Sequence, residues 1–485
     1  MSRVVFLLAV GALAAIGYVT LASSRSTRRV HAQSKVPGIV VVCLDTLRAD
    51  AVDAGPDHDG LPSFRAFAAD ATRFTCAFAP SSWTAPSVST ILTGLLPGSH
   101  GVLDTASSTR LPAAIPTLAT LLAERGFSTA ACTGGGWVER GSGLERGFEQ
   151  FASDFDAIAP AEAVARWQAR RPLDRPFFLF LHSYAAHDPY GDKSRTGADP
   201  CPGGEGEEGR AVAAALAAAG ARPDDTLRLR YLELRMTDRC ARRRLADGLG
   251  TERFGAVYAA CRDLVDGAWR DVPDGPATIA RIRAAYHRAL PYVDRRLAET
   301  LRALASLPPE TVIVVCSDHG EALGDHGPVQ HGRHVSHELT SVALAIRARG
   351  LPAGATVGAA CGLADVVPTL LDLAGIRTDL TLDGRSLVGA GDGPGRPVPS
   401  IVVSPEDGSG DDEPWVRRAA VRDAAVAWLG EFDRRTGTWV AETWYDRAAD
   451  PTERFPLVAA PPRGQSAEFS RVRAETRRTV ELRTR

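Results

Sequence analysis

The chain has 485 residues, a formal net charge of -2, and is 45% hydrophobic, 24% charged and 7% aromatic. That profile excludes whole-chain disorder, collagen and a multi-span membrane protein, and the near-zero charge gives no basis for a nucleic-acid partner. Lys35 and Lys193 are the sole lysines among 56 Lys+Arg residues, so chemistry that needs two buried lysines must use these two or do without.

The first element is residues 4–22 (VVFLLAVGALAAIGYVTLA), uncharged, preceded by Arg3 and followed by Arg25, Arg28 and Arg29. Its length suits the core of a signal peptide or a single membrane anchor. Either reading makes 1–35 a leader or anchor with a linker, and the chain exported: periplasmic, membrane-anchored or secreted. Next come short continuous apolar runs at 38–44 (GIVVVCL), 177–182 (FFLFLH) and 311–316 (TVIVVC). Such runs predict strands buried on both faces of a parallel sheet. Helical patterns lie between them at 115–125, 161–170 and 292–306, and the alternation predicts an α/β fold. Residues 191–275, rich in Gly, Arg and Asp with Ala tracts, read as a partly helical insertion. Residues 364–375 read as a helix ended by Gly375. Beyond residue 390 the alternating stretches 418–429 and 437–445 predict a small antiparallel sheet, with a closing helix at 466–483. The expected division is thus 36–390, with its insertion, and a small subdomain at 391–485.

Of eight cysteines, Cys43 and Cys316 lie in strand-like runs and read as core thiols. Cys201, Cys240 and Cys261 lie in the insertion and are the better bridge candidates in an oxidising compartment, with their pairing left open.

The chemistry gathers at strand ends. The first strand ends in Asp45 and the one from Thr311 in Asp318-His319. In open parallel sheets ligands sit beyond the carboxyl ends of the strands. Two carboxylates and an imidazole there make a candidate divalent-metal site, for Ca, Mg, Mn or Zn. Thr84, Pro86 and Gly94 mark a helix start and stop, with Thr84 as the capping residue. The alternative for Thr84 is a nucleophile whose charge the helix N-terminus and a metal would stabilise. Five of the eleven histidines, His319, His326, His331, His334 and His337, crowd the segment after Asp318.

These residues resemble the sulfatase family of the alkaline-phosphatase superfamily. The resemblance rests on CLDTLRAD (43–50), LTGLLPGSHG (92–101), FFLFLHSYAAHDPY (177–190), YHRALPYVDRRL (286–297), SDHGEALGDHG with His331-Gly332 (317–332), ADVVPTLLDLAGI (364–376), LDGRSL (382–387) and WYDRAADPTER (444–454). These segments occur in family order. The resemblance implies a large α/β domain around a mainly parallel sheet, followed by a smaller domain with an antiparallel sheet. It also implies one divalent metal ion held by Asp45, Asp318, His319 and the nucleophile Thr84. His187 matches a residue that assists the leaving group or binds the ester, and His331 a late polar position that contacts substrate. His100 and Asp325 are expected to fix loops.

The departures carry equal weight. Family members that hydrolyse sulfate esters use Cys-x-Pro-x-Arg, the Cys being oxidised to formylglycine, whereas this chain reads Thr84-Ala85-Pro86-Ser87-Val88. Gly134-Gly135-Gly136 stands where a Lys-x-His is expected, and Thr46 replaces the second aspartate of the first-strand pair. No histidine has an aspartate four residues before it, as a second metal site of the superfamily would require. Within the superfamily the chain resembles, a Thr nucleophile at this position implies a phosphate (di)esterase or transferase. The alternatives are a sulfuric ester hydrolase and a sulfatase-fold protein that binds an anionic ester with little turnover. The expected partner is an anionic ester: a lipid headgroup, a glycan or a small diester.

Overall fold

The computed structural model describes residues 36–55, 58–103, 110–190, 201, 205–220, 223–391, 393, 395–403, 416–433, 436–457 and 465–482. The apolar stretch 4–22 lies outside the described residues. Residues 34–485 form one compact unit. No helix of the described residues is long and apolar enough to cross a membrane.

An eight-stranded sheet is made of β1 (Gly38–Leu44), β2 (Thr72–Phe74), β4 (Ser128–Thr133), β5 (Gln150–Ala152), β6 (Phe177–Ser183), β7 (Val312–Ser317), β8 (Leu344–Arg347) and β9 (Thr356–Val357). Their order is β5-β4-β6-β1-β7-β8-β2-β9. The pairs from β5 across to β7 are parallel, and β8 runs antiparallel to both β7 and β2. β3 (Ala77–Phe78) and β10 (Cys361–Gly362) form a short parallel pair. The three central strands are the continuous apolar runs, buried along their whole length. Burial on both faces removes any need for polar alternation.

Each face of the sheet has its own core. Five helices matter below: α1 (Thr84–Thr93), α2 (Asp225–Thr237), α3 (Arg239–Leu249), α4 (Gly275–Leu304) and α5 (Ala467–Leu482). Helix α1 packs Val88, Ile91 and Leu92 on one face, against Ile39, Val41 and Cys43 of β1, Phe178 and Phe180 of β6, and Val314 and Cys316 of β7. Helix α4 packs Ile282, Tyr286 and Val293 on the other. It begins at Gly275, well before the expected start at residue 292, and runs through Pro291, which stands on its exposed side. The missing N–H and the ring clash are tolerated where the helix can bend towards solvent.

The insertion is helical, with Glu207–Ala219, α2, α3 and Thr251–Ala260, and Cys201 is bridged to Cys240. Cys261 stays a buried thiol, pushed up to about 12 by burial. The second sheet is antiparallel: β11 (Val398–Val403), β12 (Val416–Arg422), β13 (Val426–Asp433) and β14 (Thr438–Asp446), in that order. The expected single stretch 418–429 is two strands, because Asp423 accepts from the N–H groups of Ala425 and Val426 and closes a turn between them. β11 was not expected at all. Helix α5 covers this sheet, with Phe469 and Val480 buried against Trp428 and Trp444.

Candidate functional site

The alternation of side chains along strands builds the site. Ile39, Val41 and Cys43 face α1, so Asp45, the next in that series, does too. The ladder continues to it, since Asp45 donates its N–H to the Ser183 carbonyl at 2.9 Å. Val314 and Cys316 lead likewise to Asp318, and Phe178 and Phe180 lead to His182. Three polar side chains therefore emerge from three adjacent strands on the side where α1 begins. All three are 0% exposed, and Thr84 is 1% exposed.

The sequence reading of Thr84 as a cap gives way here. Trp83 holds the N-cap position and Thr84 is the first helical residue. Its hydroxyl makes no helix-capping bond. It donates instead to Asp45 Oδ2 at 2.9 Å and lies 3.3 Å from His319 Nε2. Donor atoms of Asp45, Asp318 and His319 lie within 4.8 Å of one another.

The atoms that face the centre are those of cation ligands. Asp318 Oδ1 accepts from the His319 N–H at 2.8 Å and the Thr46 N–H at 3.3 Å, while buried Oδ2 has no hydrogen-bond partner. Asp45 Oδ1 is buried and equally without one. His319 Nδ1 lies 2.9 Å from the Gly320 carbonyl, which can only accept, so Nδ1 carries the proton and Nε2 a lone pair. Thr84 has one hydroxyl proton and points it at Asp45, so its oxygen meets the His319 lone pair with no proton between them. Two carboxylates, an imidazole nitrogen and a hydroxyl thus converge with too few protons, an arrangement that fits a divalent cation.

Electrostatics agree. Burial, with the Asp318 charge beside it, pushes Asp45 well above the usual carboxylate range. Burial would also raise Asp318, but the His319 and His182 rings outweigh it and hold it down at about 2. Burial lowers His319 to about 4, so its ring is neutral and able to ligate.

Around the centre runs a rim of rings. His331 lies 4.9 Å from both His319 and His187, and 5.3 Å from Trp83, between ring centroids. Glu321 fixes it, accepting at 3.0 Å from Nδ1, and also accepts from the Tyr190 hydroxyl at 2.7 Å. Burial would lower His331, but Glu321 raises it. Gly332 allows the approach: its φ is +87°, and a Cβ there would sit 1.9 Å from a Trp83 ring carbon. His187 Nδ1 is 2.7 Å from the Asp188 carbonyl and 2.9 Å from its carboxylate. That carboxylate is held by Arg242 of α3 at 2.9 Å, Gln330 at 3.1 Å and Arg235 of α2 at 3.4 Å. The insertion therefore braces the rim.

His100 and Asp325 stand away from the centre. His100 lies 3.0 Å from Thr90 Oγ1 and accepts from the Val102 N–H, and Asp325 accepts from Arg48 at 2.8 Å. Of the five clustered histidines, His319 and His331 reach the site. His326 lies at Glu338 and the Glu453 carbonyl, His334 at Asp266 and His337 at Ser341.

Sequence reasoning missed His182 and Tyr184. The period of two from Phe178 and Phe180 was the available signal for His182. Tyr184 lies against the glycines where Lys-x-His was expected. A Cβ on Gly134 or Gly136 would come within 2.6 and 2.9 Å of its ring and hydroxyl. Burial raises its phenol well above the ordinary value, so it is a neutral group. A cavity of about 350 Å³ opens beside the start of α1, lined in part by Ala85, Gly136, Trp137 and Arg140.

A sulfatase family model matches residues 37–376. The choline-sulfatase of Rhizobium meliloti is 26% identical over 453 residues, 88% of this chain and 83% of that protein. Arylsulfatase K of Bos taurus is 35% identical over 113 residues, and the match spans 21% of its length. Among solved structures, the phosphonate monoester hydrolase of Agrobacterium radiobacter aligns at a TM-score of 0.59 and 20% identity, over 93% of this chain and 96% of that one. BT4656, solved with its substrate D-glucosamine-2-N,6-O-disulfate, aligns at 0.60 and 19%, over 93% and 97%. At these identities the two structures speak for the fold.

Proposed function

The chain belongs to the sulfatase family; on that premise we propose that it is an ester hydrolase of the alkaline-phosphatase superfamily that cleaves phosphate mono- or diesters by transfer to Thr84. One observation carries the reading: the Thr84 hydroxyl is turned away from helix capping and onto Asp45 and His319. Family sulfate hydrolysis through formylglycine needs a cysteine precursor, and residue 84 is a threonine.

Asp45, Thr84, Asp318 and His319 would hold one divalent cation, which when bound supplies Lewis-acid stabilisation of charge on the transferred group. Asp45 Oδ2 receives the Thr84 proton. The Thr84 oxygen then forms the new bond to phosphorus as the bond to the ester oxygen breaks. The N-terminus of α1 favours the charge that develops there. His187, oriented by Asp188, stands at the rim to protonate the departing alkoxide. In the second half water attacks phosphorus as the bond to the Thr84 oxygen breaks; His187 takes the water proton and Asp45 returns its proton to the Thr84 oxygen, which resets both groups. His331 and Tyr184 contact the bound anion, Tyr184 from beside the glycines that stand where Lys-x-His is expected.

The chain acts outside the cytosol in this reading. The Cys201–Cys240 bridge supports an oxidising compartment, and residues 4–22 are the segment that would direct export.

A sulfuric ester is the second reading, favoured by the choline-sulfatase relative along 88% of the chain. Mass spectrometry of the intact protein after brief incubation with an activated phosphodiester or an activated sulfate ester separates the two, with Thr84→Ala as control. A phosphoryl adduct on Thr84 is expected. A sulfuryl adduct would restore the second reading. No adduct and no turnover with metal bound would leave a binding protein.

A further inference from the structure

His182 belongs to neither the sequence-derived ligand set nor the rim. Its ring is 0% exposed at the carboxyl end of β6, and among the described residues neither Nδ1 nor Nε2 has a hydrogen-bond partner. A buried imidazole left without partners is destabilising, so its place requires a reason. Nε2 points into the gap between the two carboxylates, 3.6 Å from Asp45 Oδ2 and 4.0 Å from Asp318 Oδ2. Asp45 Oδ1 and Asp318 Oδ2 are themselves unpartnered and buried. An imidazolium bridging the carboxylates would close to about 2.7–2.9 Å, and it has not. Donor atoms that share one cation at bonds of about 2.0–2.2 Å stand roughly 3–4 Å apart, and both distances from His182 Nε2 to the carboxylates fall in that range.

The neighbouring backbone explains why a further donor is needed. Thr46 stands where the resemblance expects a second carboxylate. It has a φ of +56°, uncommon for a β-branched residue. Its hydroxyl turns back to the Asp45 carbonyl at 2.8 Å and its N–H goes to Asp318. The Tyr286 hydroxyl from α4 holds this turn by donating to the Thr46 carbonyl at 3.1 Å. Thr46 is therefore committed to the backbone. His182 reaches the same centre from β6, its ring stacked on Phe180 and edged by Tyr184.

We propose that His182 Nε2 is a further ligand of the divalent metal, supplying the donor that Thr46 does not. This rests on the metal reading above. A second imidazole moves the donor set from one nitrogen to two, beside two carboxylates and the Thr84 hydroxyl. That set favours Zn or a transition metal over Ca or Mg.

The test uses the metal-stripped full-length protein. Zn²⁺ and Ca²⁺ affinities are measured by chelator competition for wild type, His182→Gln and Asp318→Ala. Histidine nitrogens bound to Mn²⁺ are counted by pulsed electron paramagnetic resonance with ¹⁵N-histidine labelling. Two coupled nitrogens are expected in wild type and one in His182→Gln. Zn²⁺ binding should weaken by ~10–100-fold or more in that variant, with a smaller change for Ca²⁺. A single coupled nitrogen in wild type would overturn the proposal without reference to any variant. So would unchanged Zn²⁺ affinity in His182→Gln, and loss of metal in Asp318→Ala would then leave the three-residue site standing. If Asp318→Ala also keeps its metal, the metal reading itself falls and His182 falls with it.

Discussion

Thr84 Oγ1 lies 2.9 Å from Asp45 Oδ2, although 39 residues of chain separate them. The contact joins the end of β1 to the first turn of α1. It exists because both elements belong to the same core, with Cys43 beneath Asp45 and Val88 one turn beyond Thr84. A hydroxyl in that place can deliver its proton to a carboxylate while its oxygen faces the site.

Thr84→Ala removes the attacking oxygen and leaves the helix start without a lost capping bond. Turnover of an activated phosphodiester should fall by at least ~10³-fold, with the thermal midpoint nearly unchanged. Thr84→Ser keeps the oxygen and should retain a substantial part of the rate. Equal loss in both variants, measured as kcat/KM, would return Thr84 to a purely structural role.

Arg242 tests whether the insertion positions the rim. Among the described residues its contact with the site is through Asp188, which in turn orients His187. Arg242→Ala should lower kcat/KM by ~10- to 100-fold through misplacement of that ring. The loss should be greater for esters with poor leaving groups, which need the proton, than for activated ones. The same loss on both classes, compared in a leaving-group series, would remove His187 from the general-acid role.

Gly332→Ala probes the packing of the rim. The added methyl would meet the Trp83 ring 1.9 Å away, and the φ of +87° disfavours any side chain. Overpacking of this kind costs about 1–3 kcal/mol. Trp83 immediately precedes Thr84, so activity should fall more than stability does. Urea unfolding read beside kcat/KM distinguishes this from simple destabilisation, in which the active fraction alone would decline.

The sequence made the central strands legible because burial on both faces leaves only apolar residues, with the break to Asp45 or Asp318 marking the end. It made α4 illegible in its first half, where Arg-rich turns and Pro291 mask a helix stabilised by packing Ile279, Ile282 and Tyr286 on the sheet. β11 was missed because its apolar residues follow a Gly- and Pro-rich run that reads as loop. His182 was missed for a different reason. It ends a run whose other members are core residues, and a lone histidine there is chemically informative only once its neighbours are seen to be carboxylates. Conversely, three histidines of the conspicuous cluster turned out to serve contacts among loops.

Those loop contacts lead to a prediction about stability. Glu453 is 1% exposed and accepts from Arg422 of β12 twice, at 2.7 and 2.8 Å, with Arg447 Nε at 3.1 Å. Its carbonyl lies 2.9 Å from His326, whose other nitrogen is 2.6 Å from Glu338. Arg422 also donates to the Val335 carbonyl at 2.7 Å. This joint fastens the second sheet to the segment that carries His331. Glu453→Gln leaves Arg422, fully buried, without its counter-charge, a change that costs about 3–5 kcal/mol. Against their burial, Arg422 holds Glu453 and His326 holds Glu338 below the usual carboxylate range, whereas Glu338 raises His326. The carboxylates bind fewer protons folded than unfolded, so their contribution is present above the unfolded value of about 4.3 and is lost as pH falls through their folded values. The raised His326 contributes fully below its unfolded value of about 6.5 and loses that contribution as pH rises through its folded value. Stability from this joint should therefore be greatest between those limits. The gap between wild type and Glu453→Gln should narrow steadily below about pH 4. Denaturant midpoints across pH decide it: a gap that stays constant into acid would mean that Glu453 acts through packing rather than charge.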